Sequence, residues 1–192
     1  MLTYFLDFIN KRVQLNNEER VLLEKLLKVR LYKKGEFLIK EGEYSDAFYF
    51  NIKGLVRLYY LIEGEEKTTY FYSGNQYISA YRSFTRDEPC RFNLQAMEDT
   101  HIVAINKNSA YQLLEHSSKF EALARLAMED ELICHQDMVA SHIIMTPEQR
   151  YLNLMESFPE IFQKVPQLHI ASYIGVKPES LSRIKKRCLQ KT

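Results

Sequence analysis

The sequence predicts an α+β chain: a sandwich or barrel of short strands, then one long helix, then a small helical domain with a basic end. Three observations carry this expectation. Five of the six glycines (Gly35, Gly42, Gly54, Gly64 and Gly74) fall between Leu31 and Ile105, 7 to 12 residues apart, among short runs rich in Tyr, Phe, Ile and Val. That is the punctuation of strands joined by tight turns. Residues Ser117 to Met145 then run without Gly or Pro, enough for on the order of 40 Å of helix. Finally, residues 164–192 hold seven basic side chains against the single acid Glu179, a local charge of +6 in a chain whose total is +1. A basic end on an acidic body suits a module that meets a polyanion.

Taken in order, "NNEERVLLEKLLKV" places Val21, Leu22, Leu26 and Val29 at roughly helical spacing after Asn17, an expected N-cap with two acids in the first turn. In the glycine-punctuated region two hairpins are expected, "AFYFNIKGLVRLYY" turning at Lys53-Gly54 and "LYYLIEGEEKTTYFY" turning at Gly64. In the long helix Phe120, Leu123, Ala127, Asp130, Cys134, Asp137 and Ser141 follow an approximate 3,4 repeat. A helix this long outruns its own domain, so residues 117–145 are expected to pack against a second copy. Thr146 then caps a helix with Pro147 at its first position, presenting Tyr151, Leu152, Leu154 and Met155 and ending at Phe158-Pro159.

The last segment, "HIASYIGVKPESLSRIKKR", has the parts of a helix-turn-helix. Ala171 permits close helix approach, Gly175 accepts the left-handed turn, and Ile170, Ile174, Val176, Leu181 and Ile184 lock the pair. Pro178 opens the second helix, in which Leu181, Ile184 and Cys188 face inward while Glu179, Ser182, Arg183 and Lys186 share another face. That outer face matches the major groove: Arg183 can pair with guanine O6 and N7, Glu179 can accept from cytosine N4, and Ser182 can serve base or phosphate. Lys177, Ser180, Lys185, Lys186 and Arg187 are expected at phosphates. Double-stranded DNA is therefore the expected partner.

Other classes fit less well. Cys90, Cys134 and Cys188 are dispersed and lack C-x-x-C spacing, so neither a disulfide framework, a zinc knuckle nor an iron–sulfur cluster is expected. His101, His116, His135, His142 and His169 show no pairing for haem or metal, and no metal or cofactor is predicted. No stretch reaches the roughly 20 apolar residues of a membrane span, and the start lacks a signal-peptide pattern; a cytoplasmic protein in a reducing compartment is expected. An enzyme on a cupin-like barrel would need a metal cluster or dyad, and the barrel region offers only His101.

"KGEFLIKEGEYSDAFYFNIKGLVRLYY" and "IASYIGVKPESLSRIKK" resemble the first β-roll strands and the DNA-reading motif of the Crp/Fnr family of bacterial transcription regulators. The resemblance covers nearly the whole chain. It implies a double-stranded β-helix (jelly-roll) sensor domain over residues 1–115, a dimerisation helix over 116–145, and a (winged) helix-turn-helix domain over 146–192, with the wing short or missing after Arg187. It also implies base reading by Glu179, Ser182 and Arg183, a palindromic operator and an RNA polymerase partner. Cyclic-nucleotide binders of that family hold the phosphate with a Gly-Glu pair and an Arg-Ser or Arg-Thr pair. This chain has Ile78, Ser79 and Ala80 at the first and Cys90 at the arginine position, with Arg91 one residue along, on the opposite face if the segment is a strand. Cyclic AMP binding is not expected. Ser79, Tyr81, Cys90 and Arg91 are the candidate lining of a pocket for an unidentified effector, Tyr59, Tyr70, Tyr72 and Tyr77 could add an apolar wall, and Cys90 could form a thiolate beside Arg91. The alternative is a ligand- or partner-binding β-roll whose helix-turn-helix no longer contacts DNA.

Overall fold

The computed structural model describes residues 1–189. Two helices, α1 (Leu2–Asn10) and α2 (Asn17–Leu26), precede strands β1 (Lys28–Tyr32), β2 (Phe37–Ile39), β3 (Ala47–Lys53), β4 (Val56–Ile62), β5 (Glu65–Tyr72) and β6 (Gln76–Ser79). Helix α3 (Tyr81–Arg86), strands β7 (Asn93–Ala96) and β8 (Thr100–Asn106), and helix α4 (Lys107–His116) complete this half. The strands form two antiparallel sheets, ordered β1-β8-β3-β6 and β2-β7-β4-β5. Their inner faces enclose Tyr49, Val56, Leu58, Ile78, Leu94 and Ile102, the alternate side chains of each strand, as the period of 2 requires.

Of the two expected hairpins, one forms. β4 and β5 pair from Val56↔Tyr72 to Ile62↔Glu65 around Glu63 and Gly64, which both have positive φ. β3 and β4 do not pair. They lie in different sheets, and Gly54 carries the chain across with φ 116°. There the backbone runs so close to β8 that a Cβ on Gly54 would sit 2.7 Å from Thr100 Cα. The Thr100 hydroxyl accepts from Leu55 N–H and donates to Glu98 C=O, fixing the corner. A Gly-containing strand–turn–strand reads alike in sequence whether it closes a hairpin or changes sheet.

The outer face of the first sheet is also covered. Phe5, Leu6 and Ile9 of α1 and Leu23 and Leu27 around α2 pack on Phe50, Ile52 and Val103, together with Leu113 of α4. The cap of α2 is Asn16, not Asn17: its side chain accepts from Glu19 N–H while the Glu19 carboxylate accepts from Asn16 N–H. The expected apolar face is also displaced, because Val21 is exposed, Val29 belongs to β1, and Leu23 is the buried position. Glu19 further accepts from Ser117 Oγ (2.7 Å) and Lys119 Nζ (2.9 Å), tying α2 to the start of the long helix.

That helix, α5 (Ser118–Ile144), is one uninterrupted 27-residue element. The first part of the 3,4 repeat expected to meet a second copy, Phe120 to Cys134, lies against its own chain instead, while Asp137 is exposed. Phe120 and Leu123 pack under α1 and α2, Ala127 is buried, Asp130 pairs with Arg12, and Cys134 rests on the sandwich core. The repeat's partial apolar content reflects this: it faces a mixed surface of its own chain. The exposed apolar stripe lies on another side, at Leu132, Val139 and Ile143, the last 76% exposed. With Met128 and His135 it makes its own 4,3,4,4 spacing, close to the alternating 4 and 3 of paired helices.

Four short helices follow: α6 (Pro147–Ser157), α7 (Ile161–Lys164), α8 (Gln167–Ile174) and α9 (Pro178–Leu189). The Thr146 cap and Pro147 at the first position are as expected, with a complete capping box to Gln149. These helices share a core with the outer face of the second sheet, where Leu55, Phe71 and Met97 meet Tyr151, Leu154 and Ile170. Anything after Leu189, including an expected wing, lies outside the described residues.

Gly54→Ala is expected to destabilise the chain by about 1–3 kcal/mol through strain at positive φ, and by more if β8 must shift; thermal unfolding against wild type measures it. Glu19 is held down at about 2 from its usual 4.5, first by the Asn16 N–H and then by Lys119 and Ser117, against the opposing effect of burial. A carboxyl depressed in the folded state stabilises above its unfolded pKa, so this contribution is lost as pH falls from 4.5 towards 2. Denaturant titrations across that window are expected to show an acid loss in wild type that is reduced in Glu19→Gln.

Candidate nucleic-acid interface and effector cavity

In the C-terminal hairpin Gly175 adopts φ 78°, and the N–H groups of Gly175 and Val176 close α8 on Ser172 and Ala171 carbonyls. Ala171 is fully buried where the helices approach, and Leu181, Ile184 and Cys188 point inward. Glu179, Ser182, Arg183 and Lys186 are all exposed on the opposite side of α9. The structure therefore assembles the expected base-reading trio on one solvent-facing surface. The phosphate candidates divide. Lys177 is exposed in the turn and Lys185 half-buried, Ser180 accepts from Arg183 (3.1 Å), and Arg187 is paired with Glu148 on α6 at 3.3 Å.

Two buried arginines absent from the expected site hold α8, the helix that leads into α9, in place. Arg150, on α6, donates to the Ile174 carbonyl at the end of α8 (2.7 and 2.9 Å) and to the Ser141 and Met145 carbonyls at the end of α5. A cation at two helix C-termini satisfies orphan carbonyls and meets both negative dipole ends. Arg57, on β4, is 1% exposed and donates to Glu66, Gln95 and His169 Nδ1 while stacking on Tyr59. The His169 bond requires a neutral imidazole, and burial, then the Arg57 charge, push its pKa below the ordinary value. Beside it the edge-strand Thr68 N–H donates to Ser172 Oγ (2.9 Å), which donates to the Glu66 carbonyl. α8 thus covers an otherwise open sheet edge. Arg150 was legible in principle, since it lies four residues before Leu154 and so on the apolar face of α6. Arg57 was not, because only the folded chain brings α8 to β4.

The four candidate pocket residues come together. Ser79, Tyr81, Cys90 and Arg91 line one cavity of about 540 Å³ between the second sheet, α3 and α5. Its apolar walls are Leu58, Tyr60, Phe92, Met128 and Leu132, with Tyr60 and Phe92 in an edge-to-face pair. Tyr59, Tyr70, Tyr72 and Tyr77 are not in its lining, and Tyr59 and Tyr72 are buried in packing. Two expectations are corrected here. Residues 87–92 form a loop containing Pro89 and not a strand, so Cys90 and Arg91 do not point to opposite faces; Arg91 reaches the rim beside Glu88. Cys90 is buried and its thiol is pushed up by desolvation, which opposes a reactive thiolate. The residue missed in sequence is Glu131 of α5, 7% exposed at the inner wall, whose carboxylate accepts from Ser79 N–H (3.0 Å) and Ser79 Oγ (2.8 Å). Its spacing of four from Ala127 and three from Cys134 places it on the buried face of α5.

Among the described residues no group of histidine, cysteine and carboxylate side chains is arranged to hold a metal ion, and no helix is long and apolar enough to cross a membrane. Comparison with known proteins follows the same architecture. The family model of the cyclic nucleotide-binding domain matches residues 29–117. The transcriptional activator protein Anr of Pseudomonas protegens is 24% identical, over 93% of this chain and 78% of its own. The c-di-GMP responsive global regulator CLP of Xanthomonas campestris superposes with a TM-score of 0.70 at 13% identity, covering 92% of this chain and 93% of its own. FixK2 of Bradyrhizobium japonicum does so with a TM-score of 0.65 at 16% identity, covering 86% and 85%. Residues 29–117 thus match the model of the cyclic nucleotide-binding domain, and the chain around them shares the fold of CLP and FixK2, in which such a roll is followed by a long helix and a helical hairpin like α8–α9.

Proposed function

We propose that the chain is a homodimeric, cytoplasmic, DNA-binding transcription regulator of the Crp/Fnr type and not an enzyme. α9 enters the major groove, with Glu179, Ser182 and Arg183 at base edges and Lys177, Ser180, Lys185 and Lys186 at phosphates. The observation that carries this reading is the division of α9 into a buried apolar face and an exposed Glu-Ser-Arg-Lys face. Arg187 joins the phosphate contacts by exchanging Glu148 for DNA. The seam between copies is the Met128, Leu132, His135, Val139 and Ile143 stripe of α5, whose apolar members otherwise meet water. RNA polymerase is the proposed further partner.

The β-roll serves as a sensor for a small molecule other than cyclic AMP. A cyclic phosphate would meet a neutral Cys90 thiol where binders carry arginine, with the Glu131 carboxylate on the same cavity wall. Arg82 and Arg91 stand at the rim, both paired with Glu88.

Selection of bound DNA from a random pool at about 0.15 M salt, where phosphate-only binding is suppressed, tests the reading. A two-fold symmetric motif is expected, with Arg183→Ala losing discrimination at one base pair by about 1–3 kcal/mol. Lys186→Ala should weaken all sequences alike and lower the salt slope by about one. Failure to enrich any motif contradicts the reading. Sedimentation equilibrium is expected to show a dimer that Val139→Glu converts to monomer, whereas a wild-type monomer would refute the proposed seam.

A further inference from the structure

Glu131 is a buried carboxylate held by hydrogen bonds from Ser79. Among the described residues no lysine or arginine lies at salt-bridge distance, and its ionic neighbour is the half-buried His135 at 3.7 Å, on the same helix. Buried charges normally have a cationic partner, because desolvating an unpaired carboxylate is costly. The two Ser79 bonds satisfy one oxygen, Oε1. The nearby cations do not help: Arg82 and Arg91 are held at the rim by Glu88, at 2.7 and 3.8 Å. The cavity that Glu131 lines is otherwise walled mainly by Leu58, Tyr60, Phe92, Met128 and Leu132, with Ser83 and Cys90 as neutral polar groups.

We propose that this cavity binds a small organic amine, its ammonium against the Glu131 carboxylate and its apolar body between Tyr60, Phe92 and Met128. A cation beside aromatic faces and a buried carboxylate gains from both, and a cavity of about 540 Å³ has the size of small-ligand sites. The bound amine links Ser79 of β6, at the edge of the first sheet, through Glu131 to the long helix. Its role as effector rests on the regulator reading above; its binding does not.

Calorimetry with the full chain and three isosteric probes decides the matter: phenethylamine, 2-phenylethanol and phenylacetate. Phenethylamine is expected to bind saturably, the alcohol about ten-fold or more weaker, as loss of a charge-assisted bond requires, and phenylacetate and cyclic AMP not measurably. Glu131→Gln should remove the preference for amine over alcohol. Ser79→Ala, which leaves the carboxylate in place, should retain it, and controls for a folding defect in the first variant. Equal affinity for amine and alcohol, undiminished amine binding by Glu131→Gln, or no saturation with phenethylamine through the millimolar range overturns the proposal. Amine binding that depends on Glu131 without any selected DNA motif, with or without phenethylamine, would uphold the site and sink the regulator reading; a selected motif without amine binding would do the reverse.

Discussion

The geometry of the C-terminal half depends on the Arg150 guanidinium. One planar cation closes the carbonyl ends of α5 and α8, so the helix that leaves the β-roll and the helix that precedes the reading turn end on the same group. Gly175, whose Cβ would come within 3.3 Å of Arg150 Nη2, leaves room for this and supplies the left-handed turn into α9. Removing the guanidinium would leave buried carbonyls without donors, at a cost of about 1–3 kcal/mol each. The direction of α9 relative to α5 is then set by hydrogen bonds at helix ends, independently of the surface charges that would meet DNA.

A second constraint acts from the β-roll. Arg57 and Ser172 bind α8 to the edge of the second sheet, and Glu131 binds α5 to β6. The long helix therefore touches the cavity on one side and, through Arg150, the α8–α9 hairpin at its end. A change at the cavity wall has a continuous packed route to Arg150, through α5 itself. The exposed stripe of α5 starts at that same cavity, because Met128, Leu132 and His135 belong to both.

Much of this was legible in sequence where the governing interaction is local. Glycine spacing, the Pro147 and Thr146 start, and the Ala171/Gly175/Leu181/Ile184 set each encode a structure within a few residues, and each is found. The errors are non-local. Lys53-Gly54 reads as a hairpin until Thr100 of β8 arrives beside it, and the α5 repeat reads as a seam until α1, α2 and the β-roll claim it. The pocket residues Ser79, Tyr81, Cys90 and Arg91 were placed in one region by resemblance. Glu131, 52 residues beyond Ser79, became visible only when α5 crossed the roll.

If Arg150 and the α5 seam together set the distance between two reading heads, the dimer must demand one half-site spacing. The measurement that tests this most directly is footprinting of the full chain on its selected DNA and on the same DNA with about half a helical turn, roughly five base pairs, inserted between the half-sites. Two protected patches on one face are expected in the first, and loss of paired protection in the second. Equal protection of both would contradict a rigid coupling of the reading helix to the dimer helix.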